Sequence, residues 1–546
     1  MFPRIKKSGK YEYLQIVENR REGAKVKQHV LATLGRLDQM QAKGEIETLI
    51  RSLARFSDQA LLIISGRSDV SAESVMIGPA LIFERLWKEL GIPKILQGLL
   101  ADRFFFFDVE RALFLTVLHR LMVSGSDRFC DKWRRDYSVS GTKEVDLHHL
   151  YRAMAFLGEQ TDDQKGATPF APRCTKDVIE DRLFLLNRHL YSGLDLVFFD
   201  TTSIHFEGAG GETIGQQGFS KAHRPDLKQM VVGVVLDEKG CPLCCEMWPG
   251  NTTDVKTLVP VVKRIRDRFN VSKFCVVADR AMISKETIEE FEKPENKVPY
   301  IIGTRMRNVT EIKRDVLSRA ENYEEVVPEG TRAKDPSPLK VQEVWVQDRR
   351  YIVCVNSKQA RKDAADREAI LLSLEEQLKH GPKALVGNRG YRRYLKLEKG
   401  SATIDRERVE QEARFDGKWV LRTNTRFSAR NVALKYKELW QVELTFRSMK
   451  SVLETRPVYH RQNETIRGHV FCSFLALMLK KELYRRLELS GHSFEWADIK
   501  LDLKALTETV IEENGKRLAV RSSCKGACGK VFQSVGVAIP PTILEI

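Results

Sequence analysis

The sequence predicts an α/β protein: a mixed core sheet, interrupted by a β-rich insertion and preceded by a mostly helical N-terminal region. Three observations predict it. Between about residues 190 and 304, near-continuous Val, Ile and Phe runs alternate with amphipathic segments. Two of those runs end in an acid, at Asp200 and at Asp279. Far downstream, the window Tyr436–Lys450 holds no Gly or Pro and shows helical periodicity.

The elements follow in order. Tyr11–Val17 and Lys27–Leu34 read as two extended runs, separated by the polar stretch Glu18–Ala24. From 40 to about 185 apolar residues recur at helical spacing, as in Ala80–Leu90 and Val109–Met122. Cys130–Tyr137 mixes aromatic and cationic residues, a composition suited to phosphate contacts or to an ordinary exposed helix. Leu194–Asp200 and Gln229–Asp237 then read as buried strands, and Glu238–Gly240 as a turn before a returning strand, Cys241–Trp248. Thr253 or Asp254 is a good N-cap for a helix over Val255–Arg268. A strand to Asp279, a helix from about Lys285 to Phe291 and a strand from Tyr300 complete the run. Three strands, helix, strand, helix, strand is the order of an RNase H-like core, with three antiparallel strands leading into a parallel pair. Strands covered on both faces explain the unbroken apolar runs.

Residues 307 to 430 alternate β-like pieces, Val341–Val346 and Tyr351–Val355, with a charged helix over Ala360–Leu378; the segment is too long for a structureless loop. A further amphipathic helix is expected over Thr465–Leu487. The expected domains are therefore a small β unit at 1–40, a helical, DNA-binding region at 41–185, a catalytic core at 186–306 and 431–490, the insertion at 307–430 and a C-terminal segment at 491–546. A chain of 546 residues is long enough for three or four such units.

The net charge is +16, which suits a polyanionic partner, and the first 36 residues already hold nine Lys or Arg against three Glu. Met1–Lys7 lacks the apolar core of a signal peptide, and runs such as Val470–Leu479 are too short to cross a bilayer. A cytosolic, nucleoid-associated protein without a membrane partner is expected. Ten cysteines over this length do not make a disulfide scaffold. Cys524 and Cys528 form a C-x3-C without a second pair, and Cys244 and Cys245 would face opposite sides of a strand, so neither set predicts zinc.

Two strands of one sheet ending in Asp200 and Asp279 present both acids at the edge where open α/β sheets bind ligands. Glu443, Arg447 and Lys450 lie at i, i+4 and i+7 and share one helix face, with Tyr436 and Trp440 on the same stripe. Three carboxylates without nearby His or Cys suit the hard cations Mg²⁺ and Mn²⁺. Two such ions about 4 Å apart serve phosphodiester chemistry.

These residues resemble the bacterial insertion-sequence transposases of the DDE class, and among them the cut-and-paste superfamily with the signature Y-x2-R-x3-E-x6-K. Tyr436, Glu443 and Lys450 match at the required spacings, whereas Leu439 stands at the Arg position. Phe199–Ser203, Gly218–Gln229, Pro249–Asp254 and Val277–Ser284 are similar to the family's other blocks. The interval of 443 − 279 = 164 residues fits members with a β-rich insertion.

The resemblance implies metal ligation by Asp200, Asp279 and Glu443, with two Mg²⁺ or Mn²⁺ ions. It implies phosphate positioning by Tyr436 and Lys450. The expected DNA contacts are Tyr436, Trp440, Arg447 and Lys450; Trp440 stacks on a flipped base or packs on the sheet. The implied partners are double-stranded DNA, as terminal inverted repeats and target, and a second copy of the chain on that DNA. An RNase H-like nuclease or resolvase, or a DNA-binding regulator without catalysis, are the alternatives. The long N-terminal region and the insertion argue against the first, and retention of all three acids against the second. His469 is expected either near the active site or as a satisfied structural histidine.

Overall fold

The computed structural model describes residues 2–22, 25–54, 71–168, 171–191, 195–221, 224–271, 274–319, 322–327, 339–379, 393–398, 401–453, 455–513 and 516–546. They form two compact units: residues 1–86, 131–140 and 483–546 in one, and 87–130 and 141–482 in the other.

The larger unit is built on a nine-stranded sheet. Its first strand, β1 (Leu196–His205), is rich in β-branched and aromatic residues and buried along most of its length. β2 (Gln229–Asp237) and β3 (Pro242–Pro249) are buried at every position. β4 (Cys275–Ala278) and β5 (Tyr300–Gly303) are shorter and equally buried. β6 (Glu324–Val326), β7 (Leu339–Val346), β8 (Arg349–Val355) and β9 (Lys418–Thr423) complete the order β6-β7-β8-β9-β5-β4-β1-β2-β3. β1–β2 and β2–β3 are antiparallel, while β1–β4 and β4–β5 are parallel. The five strands β3-β2-β1-β4-β5 thus form an RNase H-like α/β core. β6, β7, β8 and β9, which arise within 307–430, continue the same sheet, because β9 pairs antiparallel with β5, while Leu395–Glu398 and Ser401–Ile404 pair with each other as a separate hairpin. Between them the chain forms a 23-residue helix, Ser357–Lys379.

The helices are α1 (Val109–Met122), α2 (Leu147–Gly158), α3 (Thr175–Leu186), α4 (Val255–Phe269), α5 (Lys285–Glu292), α6 (Ala429–Lys437), α7 (Trp440–Arg447) and α8 (Asn463–Leu489), the last continuing beyond the unit; α3, α6 and α7 pack on the sheet. Asp108, Ser284 and Ser428 cap α1, α5 and α6 by accepting a backbone N–H three residues on. Asp254 stands at the N-cap of α4 but makes no side-chain cap bond. Its carboxylate is engaged elsewhere, as described below. A buried ion network clamps α3 and α4 to β3. Arg268 reaches Asp177 (3.1 Å), Glu180 (2.8 Å) and Asp181 (2.7 Å), Lys176 reaches Asp177 (2.8 Å), and Arg264 pairs with Glu246. Lys176 Nζ also donates to the Cys245 carbonyl, and Glu180 accepts from the Cys245 N–H.

The smaller unit holds two sheets. Three antiparallel strands, Phe2–Ser8, Tyr11–Glu22 and Lys25–Arg36, form the first; Phe2–Ser8 is a strand the sequence reading did not anticipate. In the second, Ser71–Met76 pairs with Thr507–Glu513, which pairs in turn with Lys516–Arg521. A strand from one end of the chain therefore completes a sheet from the other. All ten cysteines are free. Among the described residues, no helix is long and apolar enough to cross a membrane.

Candidate active site

The site begins with strand register. β4 lies parallel to β1 with Ala278 opposite Phe199, so Asp279, just past β4, stands beside Asp200; Asp200 lies within β1 and not at the strand end the sequence predicts, because β1 runs on to His205 paired with β2. Asp200 is partly buried, and its Oδ1 accepts the Thr201 N–H at 2.7 Å. Burial pushes its carboxyl up to about 6; Lys221 and the Thr201 bond oppose this, while Asp279 and Asp254 add to it. Asp279 accepts a hydrogen bond from Tyr436 Oη at 3.1 Å. Burial, then Asp279 itself, raises the Tyr436 hydroxyl far above its ordinary value, so it stays protonated and donates. Gly303 makes this contact possible, since a Cβ there would stand 2.4 Å from Tyr436 Oη.

Glu443 is exposed on α7, a helix that packs against β1 and β2. Asp200, Thr201, Thr202, Lys221, Glu443, Phe446, Arg447, Lys450 and Arg456 line one cleft. Lys450 Nζ donates to Thr202 Oγ1. Its ammonium is pushed down to about 8, by burial first and then by Arg456 and Lys221. The three acids do not converge on one point: the oxygens of Asp200, Asp279 and Glu443 are not all within 4.8 Å of one another.

The Tyr436–Lys450 window is not one helix. α6 ends at Lys437, α7 starts at Trp440, and a π turn over Ser448–Val452 follows. The single stripe expected for Tyr436, Trp440, Glu443 and Lys450 is therefore broken twice. The break turns Tyr436 toward Asp279, and the π turn, which adds a residue to the turn, brings Lys450 to Thr202. Leu439, at the signature's Arg position, is buried at the start of α7. Trp440 is 54% exposed instead of packing on the sheet.

Lys221, Thr202 and Arg456 line the cleft without a role assigned from the sequence, and Asp254, expected as a helix cap, joins them through Thr201. Lys221 Nζ donates to the Thr201 carbonyl (2.8 Å) and hydroxyl (3.0 Å) and pairs with Asp254 (3.0 Å). Asp254 accepts from Thr201 Oγ1 at 2.6 Å, which is why it caps no helix. Both lie in blocks noted for their resemblance, whose Ala222 and His223 are outside the described residues. Thr202 stands in the Phe199–Ser203 block, whereas Arg456 carried no local signal.

Residues 191–479 match the family model of the transposase DDE domain, 479 − 191 + 1 = 289 of the 546 residues. The chain belongs to the DDE transposases. Residues 3–68 of the transposase also match the N-terminal domain of IS1634 family transposases, which marks it as an insertion-sequence enzyme. Among solved structures it is similar to a piggyBac transposase in a synaptic complex with hairpin DNA. The identity is 10%, over 78% of this chain and 79% of that one, with a TM-score of 0.37. No curated protein matches. The transposase is a DNA-acting enzyme of the DDE class, dependent on divalent metal.

Proposed function

We propose that the transposase binds the terminal inverted repeats of its element, cuts the DNA there, and joins the freed 3′ ends to target DNA. Asp200, Asp279 and Glu443 hold two Mg²⁺ or Mn²⁺ ions in this reading. The observation that carries it is the parallel β1–β4 register, which sets Asp200 beside Asp279, with Glu443 on the wall of the same cleft. The donor set fits such ions: it is all carboxylate oxygen, and neighbouring acids together with burial disfavour ionised Asp200 until a cation arrives.

When bound, the ions stabilise charge on the attacking and leaving oxygens of an in-line displacement. The protein's own groups do the rest. Tyr436 Oη holds the Asp279 carboxylate in one orientation. Lys450, steadied by Thr202, contacts the scissile phosphate with Arg447 and Arg456 beside it, so cations from the same cleft serve where Leu439 offers none. Lys221 ties Thr201, next to Asp200 in β1, to Asp254 and keeps that part of the strand fixed. In cleavage, water adds to phosphorus and the 3′ oxygen leaves with a proton. In joining, that 3′-hydroxyl attacks a target phosphodiester, one P–O bond forms and one breaks, and the target's own 3′-hydroxyl departs. The helical segments of 41–185 contribute DNA contacts, Trp440 offers its exposed ring to a base, and two copies act together on paired ends in the cytosol, at the nucleoid.

The test is a nicking and strand-transfer assay on end DNA. Asp200→Asn, Asp279→Ala and Glu443→Ala abolish cleavage while end binding stays within about threefold, because affinity rests on phosphate contacts elsewhere. Chelation stops the reaction, and Mg²⁺ or Mn²⁺ restores it. An Asp200→Asn enzyme that still cuts refutes the assignment, and nicking without joined products refutes transposition as the outcome.

A further inference from the structure

A buried polar cluster lies outside the carboxylate trio. Arg120 on α1, Asp127, Thr455, His460, and His469 and Ser473 on α8 meet there, and four of them are at most 5% exposed. Arg120 reaches Asp127 Oδ1 (3.3 Å) and Ser473 Oγ (2.9 Å), and its guanidinium nitrogens stand 3.0 and 3.3 Å from the ring nitrogens of His469. His460 Nε2 is 3.2 Å from Asp127 Oδ2 and 3.0 Å from His469 Nδ1. His469 Nε2 is 3.1 Å from the Thr455 carbonyl.

A carbonyl only accepts, so the His469 proton sits on Nε2 and points at Thr455. Nδ1 is left as an acceptor for Arg120, which can only donate, and the His460 Nε2 proton meets Asp127. Burial, with Arg120 adding, pushes His469 down to about 4, so the ring is neutral at ordinary pH. Asp127, His460 and His469 have the ligand types and spacing of a metal site. The buried charge of Asp127 is already met by Arg120, which favours a proton-linked network over a metal.

Thr455 is where this network reaches the cleft. Its N–H (3.0 Å) and hydroxyl (2.8 Å) both donate to the Met449 carbonyl, beside Lys450, and its Oγ1 also meets Ser473 Oγ at 2.9 Å. Arg456 follows at once. Beyond it, the Val458 N–H donates to the His205 carbonyl at the end of β1, and the Glu207 N–H donates back to Val458. The short stretch that carries Arg456 is therefore pinned at Thr455 by α8 and at Val458 by β1.

We propose that His469 is a positioning residue, which acts through Thr455 to set Lys450 and Arg456 in the cleft. The inference rests on reading that cleft as the cleavage site. Helix α8 then fixes the two cations that meet the phosphate, with Arg120, which can only donate to Nδ1, fixing the tautomer of His469.

The test uses the full-length enzyme, single-turnover nicking of end DNA, end affinity and the melting temperature. His469→Gln places an amide N–H near the position of Nε2 and keeps cleavage within about threefold, the span of a near-neutral change. His469→Asn reaches only the Nδ1 position and lowers the rate roughly 10- to 100-fold, the scale of a misplacement of about 1 Å. End affinity stays nearly level. In an Arg456→Ala background, His469→Asn costs clearly less than it does alone. Thr455→Val, close in shape but without the hydroxyl, slows cleavage similarly and replaces the histidine variants if these do not fold. Equal rates for the Gln and Asn enzymes, an undiminished cost beside Arg456→Ala, or zinc that copurifies at one per chain and is lost in His460→Ala each overturn the proposal. If Asp200→Asn still cuts, the cleft reading fails first; if it is dead while His469→Asn is silent, only the anchor fails.

Discussion

Gly303→Ala probes the contact that orients Asp279. The ideal Cβ would stand 2.4 Å from Tyr436 Oη, 3.1 Å from its Cζ and 3.2 Å from the Arg280 nitrogen. Ordinary contact needs about 3.5 Å, so the hydroxyl must withdraw by about 1 Å. The Tyr436–Asp279 bond of 3.1 Å then opens to about 4 Å, beyond hydrogen-bond reach. Overpacking of this kind costs about 1–3 kcal/mol of stability, and a displacement of about 1 Å beside an acid proposed to bind metal slows chemistry by up to about 100-fold. Tyr436→Phe deletes the atom that clashes and leaves Cζ as the nearest neighbour. The cost of Gly303→Ala should therefore shrink in the Tyr436→Phe background, with a coupling energy of about 1–2 kcal/mol. Denaturant unfolding and single-turnover nicking of the four proteins measure both effects. A Gly303→Ala enzyme with parental stability and rate, or one whose cost is the same in both backgrounds, refutes the packing argument.

Two further outcomes concern the fold. Asp237 ends β2 fully buried; its Oδ1 accepts from the Lys239 (2.9 Å) and Cys241 (2.7 Å) N–H groups, and burial pushes its carboxyl up to about 6. A folded pKa above the unfolded one favours the protonated fold, so this group's contribution falls as pH rises from about 4 to 6. The stability of Asp237→Asn relative to the parent should gain up to about 3 kcal/mol across that window, and parallel stability–pH curves would contradict it. Arg268→Ala removes a cation shared by buried Asp177 and Glu180 and by Asp181, leaving Lys176 beside the first two, and should cost about 3–5 kcal/mol by denaturant unfolding; a loss below about 1 kcal/mol would show that the network rearranges around the gap.

What was legible in the sequence follows from what is local. A strand covered on both faces must be apolar throughout, so β1, β2 and β4 stand out as Val, Ile and Phe runs, and an acid at the end of such a run is conspicuous. The adjacency of Asp200 and Asp279 followed from strand order alone. The Glu443 window was visible as a pattern, but not its geometry. Nothing in the residues between 436 and 450 announces the break before Trp440 or the π turn after Arg447, because packing against β1 and β2, not propensity, selects them. Asp254 read as a helix cap, since a local rule cannot see Thr201 and Lys221 arriving from 53 and 33 residues upstream.

By itself, the sequence determined the strand order of the core and the pair of acids at its edge, because burial imposes its pattern residue by residue along the chain. Only the tertiary structure decided that strands from 324–423 would extend the same sheet, that Gly303 would open room for Tyr436, and that Arg120 would meet His469 across 349 residues. Those pairings depend on which surfaces fit together after the chain has closed, and shape complementarity between distant segments leaves no periodicity to read.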